Sequence, residues 1–240
     1  MIPARYEASR FPGKLLQDLE GKSVIVRTFE ATVNTALFDD VYVVTDNKLI
    51  EQEILKHKGK VILSKGAHET GSDRIAEAVA SLNEDVDIVV NIQGDEPFVN
   101  KQILEKLLAV FQEKDAAKID VASLLFPLTD ISEITNPNNV KVVVDRHNFA
   151  LYFSRTPIPY PRDIDHAIYY QHIGVYAFRR KSLLKFTKLP MDMLEKTEKL
   201  ENLRFLTNNM KVKMVLTQEK SIGIDTPEDL EKARLKIKSL

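Results

Sequence analysis

The order of strand-like and helix-like segments is the feature that most constrains the fold of this chain. Short runs rich in apolar and β-branched residues are typical of buried strands. They occur at residues 41–45, 60–63, 88–92 and 121–126. Apolar residues at helical spacing lie between these runs, at residues 49–55, 72–82 and 103–111. A chain that alternates strands with helices folds into an α/β sheet, largely parallel and covered by helices on both faces.

The pattern changes after Pro127. β segments at 140–144, 150–153 and 169–178 follow one another, so we predict antiparallel additions there instead of further strand–helix–strand units. A helix is predicted from about Met193 to Thr207, followed by a strand at 212–216. We therefore predict a single domain over residues 1–240, with a β excursion at about residues 127–185.

The composition excludes several classes of protein. Lys and Arg number 34 against 35 Asp and Glu, whereas a nucleic-acid binder usually has a basic excess. The absence of cysteine excludes disulfides and thiolate metal sites. Without a signal-peptide pattern or an apolar run of roughly 20 residues, we expect a cytoplasmic protein that does not insert into a membrane. Only Met1 and Ile2 precede the first loop, so we expect the native protein to carry residues before Met1.

A basic loop lies near the start of the chain. Residues 2–14 carry Arg5, Arg10 and Lys14 on a segment that also contains proline and glycine. A loop of this kind after a first strand can wrap a triphosphate, because its cations offset the phosphate charge. Leu15 follows Lys14, so the Ser or Thr of a Walker A loop is missing. Taken alone, the segment also fits an ordinary basic surface loop.

Asp95 follows the predicted strand at 88–92. A position just past the carboxyl end of a central strand is where ligands bind in open α/β sheets. Gly94 would allow the backbone to approach a ligand closely. A turn aspartate that caps the next helix remains an equal alternative at this point.

A second carboxylate precedes the last predicted helix. Thr226 and Asp229 match a capping box, with Pro227 at the first helical position. This motif leaves Asp225 without a capping role. Two carboxylates such as Asp95 and Asp225 are typical oxygen ligands of Mg²⁺, which commonly takes one or two of them together with substrate phosphate.

The polar segment 68–74 leads into a predicted helix with Ser72 as its N-cap. Arg74 lies in the first turn, where the helix dipole disfavours a cation. This placement indicates either an anionic ligand or a salt bridge to Asp73 or Glu77.

A further β segment carries His172, Gly174 and Tyr176 on one face, as alternation predicts. Histidines on strands are more often structural than catalytic. This face is therefore a weaker indication of a site than the carboxylates.

The ordered set of motifs resembles the 3-deoxy-manno-octulosonate cytidylyltransferase (CMP-Kdo synthetase) family over the whole chain. The motifs are IPARYEASRFPGK at 2–14, VVTD at 43–46, HETGSDR at 68–74, NIQGDEP at 91–97, NPNNVKVVVD at 136–145, ALYFSRTPIP at 150–159, QHIGVYAF at 171–178, LEKTEKLENLR at 194–204 and GIDTPEDL at 223–230. The resemblance implies a Rossmann-like, mostly parallel sheet of the nucleotide-diphospho-sugar transferase type with an antiparallel β excursion used in a homodimer. It also implies transfer of CMP from CTP to 3-deoxy-D-manno-octulosonate (Kdo), with release of pyrophosphate, for lipopolysaccharide synthesis.

The same resemblance implies roles for individual residues. The implied triphosphate and catalytic residues are Arg5, Arg10 and Lys14, with Asp95 and Asp225 as Mg²⁺ ligands. Ala4 and Ser72 lie where the family holds cytosine, and Gly94 adjoins the CTP site. The implied sugar-acid pocket comprises Gln93, Arg155, His172, Tyr176 and Glu201, with help from Arg74.

One position departs from the family pattern. Asn202 stands where the family often has glutamine beside the sugar. The identity of the sugar acid is therefore open at this point, with 8-amino-Kdo as an alternative to Kdo. Two other readings remain, a cytidylyltransferase for a sialic acid and a nucleotide-binding protein without catalysis.

Overall fold

The computed structural model describes residues 1–7, 11–66, 68, 70–82, 85–219 and 223–239. The chain divides into two compact units. The first comprises Met1–Asp85, Asn91–Leu104 and Ser221–Leu240, and the second comprises Val86–Val90 and Glu105–Lys220. Each unit is described by itself below.

The first unit contains a three-stranded parallel sheet in the order β1-β2-β3. Its strands and helices are β1 (Ile2–Ala4), α1 (Val24–Asn34), β2 (Tyr42–Thr45), α2 (Lys48–Lys56), β3 (Lys60–Leu63), α3 (Gly71–Ser81) and, at the end of the chain, α9 (Pro227–Lys238). The strands β1 and β2 align with Ile2 opposite Val43 and Ala4 opposite Thr45. The loops that follow β1 and β2 therefore leave the sheet at the same edge.

Two elements are divided between the units, β4 (Ile88–Asn91) and α4 (Lys101–Ala109). The second unit contains the other strands, which are β5 (Val121–Leu128), β6 (Lys141–Val144), β7 (Ala150–Ser154), β8 (Tyr169–Arg179) and β9 (Val212–Leu216). Its sheet has the order β7-β6-β8-β5-β9, and β4 also pairs with β8. The pairs β5–β8, β6–β7 and β6–β8 are antiparallel, whereas β5–β9 is parallel.

The remaining helices of the second unit are α5 (Ile131–Thr135), α6 (Arg180–Phe186), α7 (Met193–Glu198) and α8 (Asn202–Thr207). Aromatic residues form much of its core: Phe153, Phe178, Phe186 and Phe205 are fully buried. The rings of Phe186 and Phe205 lie 4.2 Å apart between centroids, which joins α6 to α8. Burial of such large side chains is the main stabilising contribution here.

The α/β class is confirmed, and so is the predicted combination of a parallel sheet with antiparallel strands after β5. Helix α1 was not predicted. The helix predicted from Met193 to Thr207 is two helices, because Lys199 takes a left-handed conformation with φ 54°. The N-cap of α3 is Thr70, whose hydroxyl accepts from the Asp73 N–H, and not Ser72.

Every helix in the described part of the chain is too short or too polar to cross a membrane.

Candidate active site

The loop after β1 is closed by its own backbone. The Gly13 N–H donates to the Tyr6 carbonyl at 3.1 Å. Gly13 has φ 69°, a left-handed conformation that favours glycine, and it begins the short 3₁₀ turn Lys14–Leu16. Leu15 is buried in the core and fixes this turn. The turn thereby sets the position from which the Lys14 side chain extends.

Asp95 is held against β1. The Ile92 N–H donates to the Met1 carbonyl at 3.1 Å, which places the end of β4 beside β1. A Cβ on Gly94 would lie 3.0 Å from the Pro3 carbonyl oxygen, so only glycine fits without a shift. The Thr28 hydroxyl donates to the Gly94 carbonyl at 2.9 Å. Close packing within the protein therefore explains Gly94, and its predicted contact with CTP stays a prediction.

Asp225 is brought to Asp95 by the backbone. The Ile224 N–H donates to the Asp95 carbonyl at 2.9 Å. The predicted capping box is confirmed: Thr226 caps α9, and the Asp229 carboxylate accepts from the Thr226 N–H at 3.1 Å. The cap fixes the chain direction at Asp225 and uses the Asp229 side chain for this purpose. The Asp225 side chain extends instead towards Lys14.

Lys14 joins the two carboxylates. Its ammonium donates to the carboxylates of Asp95 and Asp225, the latter at 2.9 Å. The Lys14 side chain is 12% exposed, whereas that of Asp225 is 48% exposed. Desolvation opposes the charge of Lys14, but the attraction of Asp95 and the hydrogen bonds to both carboxylates outweigh it. The pKa of Lys14 is therefore raised. We call Lys14, Asp95 and Asp225 the charged cluster.

The donor set of the charged cluster fits Mg²⁺. Carboxylate oxygens are the ligands that this ion prefers, and it commonly uses one or two of them together with substrate phosphate. No group of three or more acidic, histidine or cysteine side chains with metal-site geometry occurs among the described residues. Asp95 and Asp225 share the Lys14 ammonium as a common partner. Two such carboxylates fit a Mg²⁺ site whose remaining ligands would come from substrate phosphate.

Three residues of the predicted CTP site lie near β1. Ala4 is buried at the end of β1, and Ser72 is fully buried in the first turn of α3. A Cβ on Gly71 would lie 3.3 Å from the Pro3 ring, so the start of α3 packs against β1. Arg5 is exposed. Arg10 lies outside the described residues.

Arg74 has partners within the protein. Its guanidinium donates to the Ser64 hydroxyl at 2.6 Å and to the Asp46 carboxylate at 2.9 Å. The predicted alternative of a salt bridge at Arg74 is confirmed, but the predicted partners Asp73 and Glu77 are wrong, because the partner is Asp46. An ion pair with Asp46 compensates the cation that the helix dipole disfavours. Gln93, also in the first unit, is partly buried.

In the second unit, His172 and Tyr176 contact each other. Their ring centroids lie 5.4 Å apart, and His172 also packs edge-on against Phe153. Desolvation lowers the pKa of His172 to about 4, so the ring is neutral at physiological pH. Desolvation, assisted by the negative charge of Glu201, raises the pKa of Tyr176 well above its ordinary value. Both side chains are therefore neutral at physiological pH.

Three further predicted sugar residues lie on or near α7 and α8. Glu201 is the N-cap residue of α8, and Asn202 is its first residue. Asn202 is 2% exposed, and its Oδ1 has no hydrogen-bond partner in the described part of the chain. Arg155 donates from Nε to the Glu198 carbonyl at 2.7 Å and from Nη1 to the Pro137 carbonyl at 3.0 Å. The backbone therefore holds much of the Arg155 guanidinium.

Sequence reasoning missed two residues of this region. Glu198 accepts from the Ser154 hydroxyl and from the Arg155 N–H. Lys141 is completely buried and donates to the carbonyls of Asn136 and Asn139. Desolvation lowers the pKa of Lys141, while the negative charge of Glu198 opposes this shift. The apolar strand around Lys141 was the available signal, because a lysine within such a strand needs buried partners.

The comparisons with known proteins point to one class. Residues 1–214 match the model of a family described as Cytidylyltransferase. A 3-deoxy-manno-octulosonate cytidylyltransferase of Christiangramia forsetii is 62% identical over 235 residues, which cover 98% of this chain and 94% of that protein. One of the same name from Flavobacterium johnsoniae is 59% identical over 241 residues, covering 100% and 98%.

A solved structure gives the same result. The structure of CMP:2-keto-3-deoxy-manno-octonic acid synthetase complexed with CTP matches with a TM-score of 0.93 at 39% identity. The match covers 100% of this chain and 98% of that one. The fold and the charged cluster thus accompany a cytidylyltransferase sequence. The chain belongs to the 3-deoxy-manno-octulosonate cytidylyltransferase family, as its motifs indicated.

Proposed function

We propose that this protein transfers CMP from CTP to the anomeric 2-hydroxyl of Kdo, releasing pyrophosphate, and so supplies CMP-Kdo for lipopolysaccharide synthesis. The observation that carries the proposal is the charged cluster, in which Lys14 donates to Asp95 and Asp225. Relatives that carry the name of this activity cover the chain at 62% and 59% identity. The relative solved with CTP supports the choice of nucleotide.

The reaction requires an attack on the α-phosphorus of CTP. The sugar hydroxyl oxygen forms the new bond to this phosphorus, and the bond to pyrophosphate breaks. Lys14, together with Arg5 and Arg10 of the same loop, binds the phosphates and stabilises the charge that develops on them. Positioning both reactants accounts for much of the rate in such transfers.

Asp95 and Asp225 would hold Mg²⁺ beside the phosphates. When bound, the ion supplies neutralisation of phosphate charge and lowers the pKa of the attacking hydroxyl. Lys14 keeps its proton, because its pKa is raised, and so remains a donor to the phosphates. We assign no side chain as general base.

On the sugar side, neutral donors and acceptors predominate. His172 and Tyr176 offer uncharged groups to hydroxyls, because burial keeps both neutral. Arg155, Glu201 and Asn202 complete the proposed set in the second unit, with Gln93 in the first. The buried Oδ1 of Asn202 is suited to a ligand donor, because an unsatisfied buried acceptor costs about 1–3 kcal/mol.

Kdo is the first choice among acidic sugars, and 8-amino-Kdo is the second. Asn202 Oδ1 can accept from a terminal ammonium as it can from a terminal hydroxyl, so it is compatible with the amino sugar as the alternative substrate. The homodimer and the cytoplasmic location expected from the sequence remain predictions.

The test is pyrophosphate release with CTP and Mg²⁺ in three parallel reactions, with Kdo, 8-amino-Kdo or N-acetylneuraminate. Release with Kdo at the highest kcat/KM is expected. A preference for the amino sugar would keep the mechanism and change the assigned substrate. Release with none of the sugars, despite tight CTP binding, would favour a nucleotide-binding protein without catalysis.

The metal proposal has its own test. Mn²⁺, a paramagnetic substitute for Mg²⁺, is titrated into protein and CTP and followed by electron paramagnetic resonance. We expect Asp225→Asn to weaken Mn²⁺ binding at least tenfold. Glu228→Gln is the matched control, since it removes an exposed charge from the same segment. Equal binding by wild type and Asp225→Asn would contradict the assignment.

A further inference from the structure

The hydroxyl of Ser123 lies at the centre of a hydrogen-bond group in the second unit. Ser123 is fully buried on β5. Its Oγ lies 2.9 Å from His172 Nε2, 2.8 Å from the Val175 carbonyl and 3.1 Å from the Ile173 carbonyl. Two carbonyls and one imidazole nitrogen therefore converge on a single hydroxyl.

A β-bulge creates this convergence. Ser123 pairs with Tyr176, but the next residue, Leu124, pairs with Ile173. The chain between Ile173 and Tyr176 thus has extra residues on β8, including Gly174. Such a bulge breaks the regular ladder and redirects backbone groups. It lets the carbonyls on either side of Gly174 reach the Ser123 hydroxyl.

The single hydroxyl proton of Ser123 determines which nitrogen of the His172 ring carries a hydrogen. A serine hydroxyl has one proton to donate, and a carbonyl oxygen can only accept. Carbonyls at 2.8 and 3.1 Å require that proton, because the reverse arrangement would set oxygen lone pairs against each other. The Ser123 oxygen is then an acceptor towards His172. The imidazole Nε2 must therefore carry a hydrogen.

The rest of the imidazole follows from its charge. A neutral ring that is protonated at Nε2 has an unprotonated Nδ1, which is an acceptor. Burial holds the ring neutral, with its pKa lowered to about 4. Contacts with Phe153 and Tyr176 fix the ring plane. In the described part of the chain, Nδ1 has no hydrogen-bond partner, and it is not among the fully buried atoms that lack one.

We propose that Ser123 is a positioning residue that holds His172 in the Nε2–H tautomer, so that Nδ1 accepts a hydrogen bond from a sugar hydroxyl. The inference deepens the proposed function and rests on it for the identity of the ligand. A neutral acceptor cannot form an ion pair with the sugar carboxylate. His172 therefore recognises a hydroxyl group of the sugar. Its selectivity depends on Ser123, which does not contact the sugar.

The tautomer is tested on the unliganded protein, so the result does not depend on the proposed activity. Long-range ¹H–¹⁵N correlation spectra of ¹⁵N-histidine-labelled protein distinguish the two neutral tautomers. The protein has five histidines, and the spectrum of His172→Gln identifies the signal of interest. We expect the Nε2–H pattern in the wild type. An Nδ1–H pattern, or an averaged one, would overturn the proposal.

Variants at Ser123 provide the second test. Ser123→Ala removes the acceptor, so we expect an averaged tautomer pattern. Ser123→Thr keeps the hydroxyl and should restore the Nε2–H pattern.

Kinetic measurements on the same variants use Kdo analogues that each lack one hydroxyl. We expect the wild type to disfavour one analogue by about tenfold or more, and Ser123→Ala to lose most of that discrimination with the KM for CTP unchanged. An equal loss for Kdo and every analogue would indicate a merely structural role and overturn the proposal.

Discussion

The charged cluster of the first unit and the aromatic group around His172 in the second treat ionisable side chains in opposite ways. In the charged cluster, opposite charges keep Lys14 ionised in spite of its burial. In the second unit, burial lowers the pKa of His172, and burial together with the negative charge of Glu201 raises the pKa of Tyr176, so both rings are neutral. The difference agrees with the two roles proposed for these regions, since phosphates and metal ions require charges whereas sugar hydroxyls require neutral donors and acceptors.

The two regions also differ in how the backbone builds them. The charged cluster lies on loops after β1 and β4 and before α9, where Gly13, Gly94 and the Thr226 cap set the chain direction. The aromatic group lies on β5 and β8, where a bulge redirects backbone carbonyls. The first arrangement depends on long-range ion pairs, and the second on strand packing. Substitutions in the two regions should therefore change different kinetic constants.

The largest effect is expected for Asp225→Asn. If Asp225 holds Mg²⁺ as proposed, loss of its charge should lower kcat by about 10³-fold, because the bound ion would neutralise charge in the transition state. The fold should be retained, since Asp225 has no part in the capping side chains of α9. Pyrophosphate release and thermal unfolding check this prediction. Near-normal turnover would remove Asp225 from the proposed site.

Lys14→Met should lower kcat by about 10²-fold, the size found when a single charge-stabilising donor is lost. Because the pKa of Lys14 is raised, the wild type should show no alkaline loss of activity from this group between pH 6 and 9. Lys22→Met is the control, since Lys22 pairs with Glu30 outside the cluster. A similar kcat for Lys14→Met and Lys22→Met would contradict the role of Lys14.

Arg74→Met tests whether Arg74 stabilises the fold through its bonds to Ser64 and Asp46. Loss of the hydrogen bonds to Ser64 and Asp46 should destabilise the fold by about 2 kcal/mol, which is typical of a broken buried polar network. Chemical denaturation measures this change, and Asp46→Asn should show part of the same loss. A rise in the KM for Kdo without a loss of stability would instead support the predicted contact of Arg74 with the sugar.

Tyr176→Phe should have the smallest effect, a rise of about tenfold in the KM for Kdo through the loss of one neutral hydrogen bond. The KM for CTP should not change, because the charged cluster is intact. Tyr170→Phe on the same strand serves as the control. An equal increase in the KM for CTP and in the KM for Kdo would contradict the proposal that the charged cluster binds CTP and the aromatic group around His172 binds the sugar.

Local motifs were predictable from sequence, and long-range partners were not. The Thr226–Asp229 capping box lies within four residues and depends on local geometry alone. The Asp46 partner of Arg74 is 28 residues away, beyond the reach of spacing rules. Family motifs indicated Lys14, Asp95 and Asp225, whose association spans up to 211 residues of chain.

Two local errors have tertiary causes. Helix α1 is rich in β-branched residues, which lower helix propensity, but Val24, Ile25 and Val26 are completely buried, and tertiary packing outweighs the propensity. The break at Lys199 needs a positive φ at a residue other than glycine. Arg155 donates to the Glu198 carbonyl at 2.7 Å and so stabilises that turn. The Arg155 contact joins residues 43 apart and therefore leaves no signal in the local sequence.

The most direct test of the account is a ³¹P NMR spectrum of the wild-type protein with CTP, Kdo and Mg²⁺. If CMP is transferred as proposed, the CTP signals decrease while a phosphodiester signal and a pyrophosphate signal grow in equal amounts, and omission of Kdo stops both changes. Unchanged CTP, or CMP and pyrophosphate formed without a phosphodiester, would contradict the proposed transfer to the sugar.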